Sequence, residues 1–375
     1  MKRFTMDKKI AIVHDWLVSM RGGERVLEVF IDLFPDAEIF TIVSDKNKLS
    51  PKITGVKINN SFVSRLPFSR KFYRHYLLFH PSAVESFDLR GFDVVISLSH
   101  CAAKGCLVPQ GIPHFCYMFT PMRYAYDMFY QYFNFSSFGM VRKMFFALIF
   151  NYLRTWDYVS AQRADKLATI SEFVKKRITR YYTRDSKVIY PPVDLERFNP
   201  LPDSEKRDYY LIVSALVPYK KIEIAIEAFN VSGKKLLIIG TGPEEKRLKK
   251  LVRGNNISFS GFLRDEEVNA HYRQARGFIF PGIEDFGLTM VESLASGTPV
   301  IAFKGGGAEE IISKGVNGIF FKNQTPEALR EAVDLFEKSD FSPKRVRESA
   351  ERFSLKRFKS EILTEIKELS GNHEK

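Results

Sequence analysis

Largely apolar, strand-like runs recur through the second half of the chain, at residues 209–214, 235–239, 257–260, 277–280 and 298–302. Segments with helical spacing of apolar positions lie between them, at 222–229, 265–274 and 288–296, with a charged helix running through Val252. A strand that is apolar at every position is covered on both faces, and helices provide the cover only when the strands run parallel. The pattern predicts a doubly wound α/β domain. The first half opens the same way. Residues 9–14 read as a strand, the pair Gly22-Gly23 precedes a helix over 24–34, and 92–97 and 166–170 read as further strands. Residues 62–80 and 117–156 read as irregular, aromatic and basic.

Four prolines between positions 191 and 203 mark the boundary between the halves. The predicted organisation is a first domain over 1–200, a second over 201–353, and a C-terminal helix over 354–375. In the tail, Ser342-Pro343 reads as a helix start. A second tail helix places Phe358, Ile362, Ile366 and Leu369 on one face. That face must pack on something, and the expectation is that the helix crosses back to the first domain.

The length, 375 residues, fits about two domains. Apolar residues make up 45% of the chain, which excludes a disordered polymer. No apolar run approaches the ~20 residues that span a bilayer, and residues 1–7 carry no leader-like apolar core. The three cysteines are odd in number and lack zinc or redox spacing, which fits a reducing cytoplasm. Charge changes the picture more. The net charge is +13, and the excess sits in the first half: 28 basic against 16 acidic residues up to Tyr190, and 29 against 28 beyond it. Residues 46–84 hold eight basic residues and no acid. Either the first half meets an anionic partner or its surface is generically basic.

Ligands of doubly wound domains bind beyond the carboxyl ends of the strands. One such exit reads Pro281-Gly-Ile-Glu284-Asp-Phe286-Gly287-Leu288, with Glu292 in the helix that follows. A helix start there offers free N–H groups and the positive end of a dipole to a phosphate. Glu284 lies just before that cradle, and Glu292 about a turn and a half into the helix, within reach of a ribose diol. On spacing alone, the two acids could equally be a capping residue and an ordinary helix residue. A second exit carries Lys220 and Lys221, placed to offset diphosphate charge or simply solvated. A third carries Gly240-Thr-Gly242-Pro243, which is short of a dinucleotide fingerprint and disfavours a nicotinamide enzyme. In the first half, Gly22 and Gly23 open a second phosphate-friendly helix start and are donor-binding candidates, while His14, His100, Arg123 and Asp127 at strand exits are candidates for the acceptor or sugar side. No Asp-x-Asp pair and no His- or Cys-rich cluster supports a metal site.

Taken together, Gly22-Gly23-Glu24-Arg25-Val26, Pro191-Pro-Val-Asp194 through Phe198, Lys220, Gly240-Thr-Gly-Pro243, Gly261-Phe262, the Glu284-x7-Glu292 pair, Ala295-Ser-Gly297-Thr-Pro299-Val300 and Asn317-Gly318 resemble glycosyltransferase family 4. The segments Ser97-Leu-Ser-His100, Thr120-Pro-Met-Arg-Tyr124 and Val217-Pro-Tyr-Lys220 are similar to the mannosyltransferases of O-antigen and exopolysaccharide synthesis. The resemblance implies two Rossmann-like domains facing a cleft, the GT-B fold, and retaining transfer without a metal or cofactor. It implies that Glu284 contacts the donor sugar, that Lys220 neutralises the diphosphate, and that Glu292 binds the ribose. Backbone at Phe286, Gly287 and Leu288 meets the diphosphate or sugar, Phe262 and Leu263 frame the base, and Gly23 approaches the diphosphate. Two positions depart from the pattern. Ala215 stands where the family usually has Arg, so one cation does the work of two unless Lys221 or a first-domain Arg such as Arg123 substitutes. Phe119 stands where related sequences often have His.

The expected function is transfer of a hexose, mannose from GDP-mannose, to a lipid-linked or oligosaccharide acceptor in surface polysaccharide synthesis. The alternatives are a UDP-sugar donor, a sugar-nucleotide epimerase, or a non-catalytic sugar-nucleotide-binding homologue. Basic residues interleaved with aromatics at 61–78 and 138–150 predict contact with an anionic membrane, or else core aromatics with solvated flanks. The implied location is cytoplasmic and peripheral on the inner face of the plasma membrane. No nucleic-acid motif is present, so nucleic acid is not an expected partner.

Overall fold

The computed structural model describes residues 8–127, 129, 139–200 and 208–373. The stretch 1–7 read for a leader, Phe138 of the second basic–aromatic run and residues 201–203 of the proline-rich boundary lie outside them. The described chain forms two compact units. One comprises Met1–Tyr190 with Lys359–Lys375, the other Pro191–Phe358.

The first unit holds a seven-stranded parallel sheet in the order β3-β2-β1-β4-β5-β6-β7. Its strands are β1 Ile10–His14, β2 Glu38–Thr41, β3 Ile58–Asn60, β4 Val94–Ser99, β5 His114–Met118, β6 Lys166–Thr169 and β7 Lys187–Val188. β1 and β4 are buried at every position, as expected for strands covered on both faces. The helix Gly22–Leu33 lays Val26, Leu27, Phe30 and Ile31 into the core. Each such side chain contributes about 1.5–3 kcal/mol by leaving water.

The second unit holds a six-stranded parallel sheet in the order β10-β9-β8-β11-β12-β13. Its strands are β8 Tyr209–Val213, β9 Lys235–Ile239, β10 Ile257–Gly261, β11 Gly277–Phe280, β12 Val300–Phe303 and β13 Gly318–Phe321. The helices Ile222–Ser232 and Pro326–Glu337 close one face around Phe229, Ile279, Ile301 and Phe336. The Thr325 hydroxyl accepts from the Ala328 N–H, and Pro326 occupies the first turn. In both sheets the strand order reverses beside the first strand, between β1 and β4 and between β8 and β11. Those two switch points are where such folds open a crevice.

The helix Leu355–His373 buries Phe358, Ile362, Ile366 and Leu369, the face read from its spacing. From Lys359 onward it belongs to the first unit. Glu365, 1% exposed, accepts from Lys166 at 2.7 Å and Lys187 at 2.5 Å, on β6 and β7. Residues 191–200 belong to the second unit. There the Val193 N–H donates to the Phe353 carbonyl and Asn269 donates to the Arg197 carbonyl.

One reading needs correction. The interval 117–156 is not irregular throughout, because Met140–Ser160 is a helix of 21 residues. It buries Phe150, Leu153, Asp157 and Ser160, while Met140, Val141, Met144, Phe145 and Leu148 face outward. Outward apolar residues blur the two-sided pattern by which a surface helix is recognised. Residues 62–80 form a succession of short helical turns.

Candidate functional site

In the second unit, the loops leaving β8 and β11 meet at the switch point. Lys220, at the end of a short turn after Pro218, forms an ion pair with Glu284 from the β11 loop. The two side chains are 16% and 22% exposed, so the charges are mostly desolvated yet still reachable. The loops lie close enough that a Cβ on Gly282 would stand 3.0 Å from the Lys220 Cα. Lys221 adopts left-handed backbone (φ 55°) and caps the helix Ile222–Ser232. Its ammonium group lies 3.9 Å from Glu223, and the side chain is 45% exposed.

The helix Leu288–Ala295 begins at the same place. Gly287 caps it with φ 110°, a conformation glycine adopts freely and other residues rarely do. Phe286 is buried against Phe353, with ring centroids 5.6 Å apart, which anchors the cap from below. The Glu284 carbonyl accepts from the Gly307 N–H at 2.9 Å. A Cβ on Gly307 would come within 2.4 Å of Phe286 Cα, so the β11 and β12 loops can pack this tightly only around glycine. Glu292, on the second turn, accepts from the hydroxyl of fully buried Tyr272 at 2.9 Å.

The remaining second-unit candidates sit at neighbouring strand ends. Gly242 is demanded by packing, since a Cβ there would meet the Leu216 carbonyl oxygen at 2.3 Å. Phe262 follows β10 and is 78% exposed, unusual for so large an apolar ring. Leu263 beside it is half-buried.

In the first unit, His14 ends β1, His100 follows β4, and the two come together with ring centroids 6.2 Å apart. A Cβ on Gly23 would lie 3.7 Å from His14 Nε2 and 3.6 Å from the Phe119 ring, so Gly22-Gly23 starts its helix against the same imidazole. Burial first, and then the nearby His100, hold the His14 imidazole down at about 4, so it is neutral at pH 7. Glu24, buried in the first turn of that helix, accepts from the Arg21 N–H, and burial pushes its carboxyl up to about 7. Asp127 lies elsewhere. It pairs with Arg177 and accepts from the Tyr181 hydroxyl, and Arg177 also donates to Thr120 at 3.0 Å. Arg123 is half-buried, and its charge is one of those depressing the basicity of His100.

Sequence reasoning missed Asp15. Its side chain is completely buried, and its two oxygens accept four backbone N–H groups, from His100 (2.6 Å), Cys101 (3.0 Å), Ala102 (2.5 Å) and Ala103 (2.8 Å). Asp15 Oδ2 also lies 3.0 Å from His100 Nδ1. Burial alone would raise this carboxyl, but His100 and the converging N–H groups bring it below its usual value. The same loop is pinned from behind by Lys104, which donates to the Cys101 carbonyl and pairs with Asp157; Asp157 also accepts from Tyr182. Both ends of that pair are buried and hydrogen-bonded, the condition under which a buried charge is tolerated.

Comparison with known proteins bears on the fold and the family. Residues 22–197 match the family Glycosyltransferase Family 4, and residues 194–353 match Glycosyl transferases group 1. The GDP-mannose-dependent alpha-(1-6)-phosphatidylinositol monomannoside mannosyltransferase of Mycobacterium tuberculosis is 26% identical over 198 residues, covering 45% of this chain and 51% of that protein. O-antigen chain mannosyltransferase C of Escherichia coli is 28% identical over 182 residues, covering 44% and 49%. The chain spans about half the length of the curated relatives it matches. The solved structure of Anabaena HepE in complex with UDP and glucose superposes with a TM-score of 0.70 at 16% identity, over 96% of this chain and 99% of that one. At that identity the likeness speaks for the fold, which is GT-B. Two adjoining family matches over most of the chain, on two Rossmann-like sheets, identify the chain as a member of glycosyltransferase family 4.

Proposed function

We propose that this chain transfers a hexose, with mannose from GDP-mannose as the leading donor, to a lipid-linked or oligosaccharide acceptor, with retention at the anomeric carbon. The observation that carries the reading is the Lys220–Glu284 pair beside the start of the helix Leu288–Ala295. A diphosphate seated on that helix start meets N–H dipoles and one ammonium group, which stabilise the charge growing on the leaving phosphate. Lys220 supplies that cation in the absence of a second one at Ala215. Glu284, released from Lys220 as the diphosphate takes its place, is free to hold the donor sugar. Glu292 accepts from the ribose hydroxyls, and Phe262 stacks on the base. Retention follows when the acceptor attacks on the face the phosphate leaves, with the departing phosphate oxygen taking the hydroxyl proton; the protein supplies position and charge. The names of the two mannosyltransferase relatives support mannose and GDP-mannose.

The acceptor reading rests on the first unit. The outward face of Met140–Ser160, with Arg142 and Lys143 beside Met144, Phe145 and Leu148, suits an anionic bilayer and an acceptor anchored in it. Among the described residues, no helix is long and apolar enough to cross a membrane.

A thermal-shift panel tests the donor. It compares GDP-mannose, UDP-glucose, UDP-galactose, UDP-N-acetylglucosamine, GDP and UDP on the wild type and Glu292→Ala. Selective stabilisation by GDP-mannose, weakened in the variant, is the expected result. Selective stabilisation by a UDP-sugar replaces the donor, and no stabilisation by any of them overturns the transferase reading.

A further inference from the structure

A second polar feature of the first unit lies beyond the carboxyl ends of β2 and β3, to one side of the switch point between β1 and β4. A cavity of about 210 Å³ opens there, lined by residues that include Ser44, Asp45, Lys46, Asn47, Asn60 and Arg70. Its walls are held in place by hydrogen bonds. The Leu17 N–H donates to the Val43 carbonyl at 2.8 Å, and the Asp45 N–H donates to the Leu17 carbonyl at 2.7 Å. The Ser61 hydroxyl donates to the Ile42 carbonyl, and the Ser69 hydroxyl to the Ser64 carbonyl, both at 2.9 Å.

The lining has a definite chemistry. The Asp45 carboxylate lies 3.2 Å from the Lys48 ammonium group, which offsets its charge. Lys46 and Arg70 then leave the cavity cationic, and residues 46–84 contain no acid. Among the described residues, the side chains of Ser44, Asn47, Asn60 and Arg70 have no hydrogen-bond partner. A guanidinium group matches two phosphate oxygens, and carboxamides and a hydroxyl suit hydroxyl groups. Together they fit a phosphate carried on a polyol. The volume falls below the about 300 Å³ at which drug-sized sites begin, which leaves room for one headgroup and not for an oligosaccharide.

The segment that supplies Arg70 points to the source of that phosphate. It also carries Phe62, Phe68 and Phe72, which are 41%, 78% and 42% exposed. Phe68 adopts left-handed backbone (φ 52°), a conformation that a bulky residue rarely takes. Its ring is nonetheless left in water, so burial within the chain does not offset that strain. The Phe72 ring stands 6.5 Å from it, and the Lys71 ammonium group lies 5.3 Å from the Phe72 ring. Exposed rings beside cations suit an anionic bilayer, where the rings enter the acyl boundary and the cations stay among the phosphates.

We infer that this cavity is a headgroup site: it takes the phosphate and hydroxyls of an anionic, hydroxyl-bearing lipid, while Phe68 enters the bilayer beside it. This deepens the reading of the first unit as membrane-facing and rests on it. A basic surface alone responds to charge. The cavity responds also to headgroup hydroxyls, which phosphatidylglycerol has and phosphatidylserine lacks, so it separates two lipids of equal charge.

Vesicle sedimentation of the full chain tests the site with phosphatidylcholine alone and with phosphatidylcholine carrying equal amounts of phosphatidylglycerol or phosphatidylserine. Phosphatidylglycerol vesicles are expected to bind about fivefold more tightly than phosphatidylserine vesicles. Asn47→Ala combined with Asn60→Ala is expected to abolish that preference and leave the phosphatidylserine affinity unchanged. Phe68→Gly, which relieves the backbone, is expected to weaken binding to both anionic vesicles about tenfold without lowering the melting temperature. Equal affinity of the wild type for the two, or a preference that survives the double variant, overturns the headgroup site while the membrane reading stands. Sedimentation with none of the vesicles overturns the membrane reading and the inference with it. Soluble sn-glycerol 1-phosphate separates the sources. If it stabilises the protein against heat while phosphatidylglycerol vesicles gain no preference, the lipid is overturned and a free polyol phosphate takes its place. Stabilisation by GDP-mannose reports the transferase reading separately, and none of these variants is expected to change it.

Discussion

Tyr272, fully buried on the helix Asp265–Gln274, donates its hydroxyl to Glu292 Oε2 at 2.9 Å. The contact orients the carboxylate assigned to the ribose. Tyr272→Phe removes one hydrogen bond of about 1 kcal/mol. The expected result is a donor dissociation constant raised about fivefold, with the rate at saturating donor unchanged, measured by calorimetric titration and initial rates. A loss confined to the saturated rate counts against the ribose assignment.

Lys220 and Glu284 neutralise each other before any ligand arrives. Lys220→Ala is expected to slow the chemical step more than it weakens donor binding, because the cation acts on charge that grows in the transition state. Glu284→Gln lowers the rate as well. Combining them gives less than the sum of the two losses in free energy, since both act on one contact. Additive losses, or a loss of affinity alone, contradict the pairing. Single-turnover kinetics separates the cases.

Acid should unfold the first unit before the second. Burial holds the imidazoles of His14, His80 and His114 at about 4, and all three belong to the first unit. Between pH 6.5 and 4 the unfolded chain binds protons that the folded unit excludes, so stability falls as pH falls through that window. Glu24 works in the opposite sense. Its carboxyl is raised to about 7, so its contribution is present at pH 4.5 and lost as pH rises toward 7. Scanning calorimetry from pH 7.5 to 5 is expected to show one transition moving down faster than the other. His114→Gln should reduce that movement, whereas parallel shifts of both transitions contradict the assignment.

Membrane contact makes its own prediction. Met144 and Leu148, 62% and 64% exposed, lie on the outward face of Met140–Ser160 next to Lys143. The protein should sediment with vesicles containing anionic lipid and remain in solution with neutral ones. Replacing both residues by Ser should reduce binding at least tenfold, since each inserted side chain is worth about 1.5–3 kcal/mol. Absence of binding at low and high salt sinks the proposal.

Much of the fold was legible in the chain. Residues 10–13 and 277–280 are apolar at every position because β1 and β11 are buried on both faces, as in a parallel sheet under helices. The helix Leu355–His373 declared its inner face through Phe358, Ile362 and Ile366. The helix Met140–Ser160 did not, because its outer face carries Met144, Phe145 and Leu148 and its inner face Asp157 and Ser160, which blurs the two-sided pattern.

What the sequence by itself determined is the order of elements, and with it which loops leave the carboxyl ends of strands. Local spacing and burial encode both, and they brought Glu284, Glu292, Lys220, His14 and His100 to attention. Pairing was decided only in three dimensions. Lys220 meets Glu284, and Asp15 meets His100 with the three N–H groups after it, because parallel order places β8 beside β11 and β1 beside β4. Asp15 lies 85 residues from His100. Nothing local to either residue distinguishes a carboxylate saturated by distant backbone donors from one at the surface, because the donors come from a loop that only the folded sheet brings near.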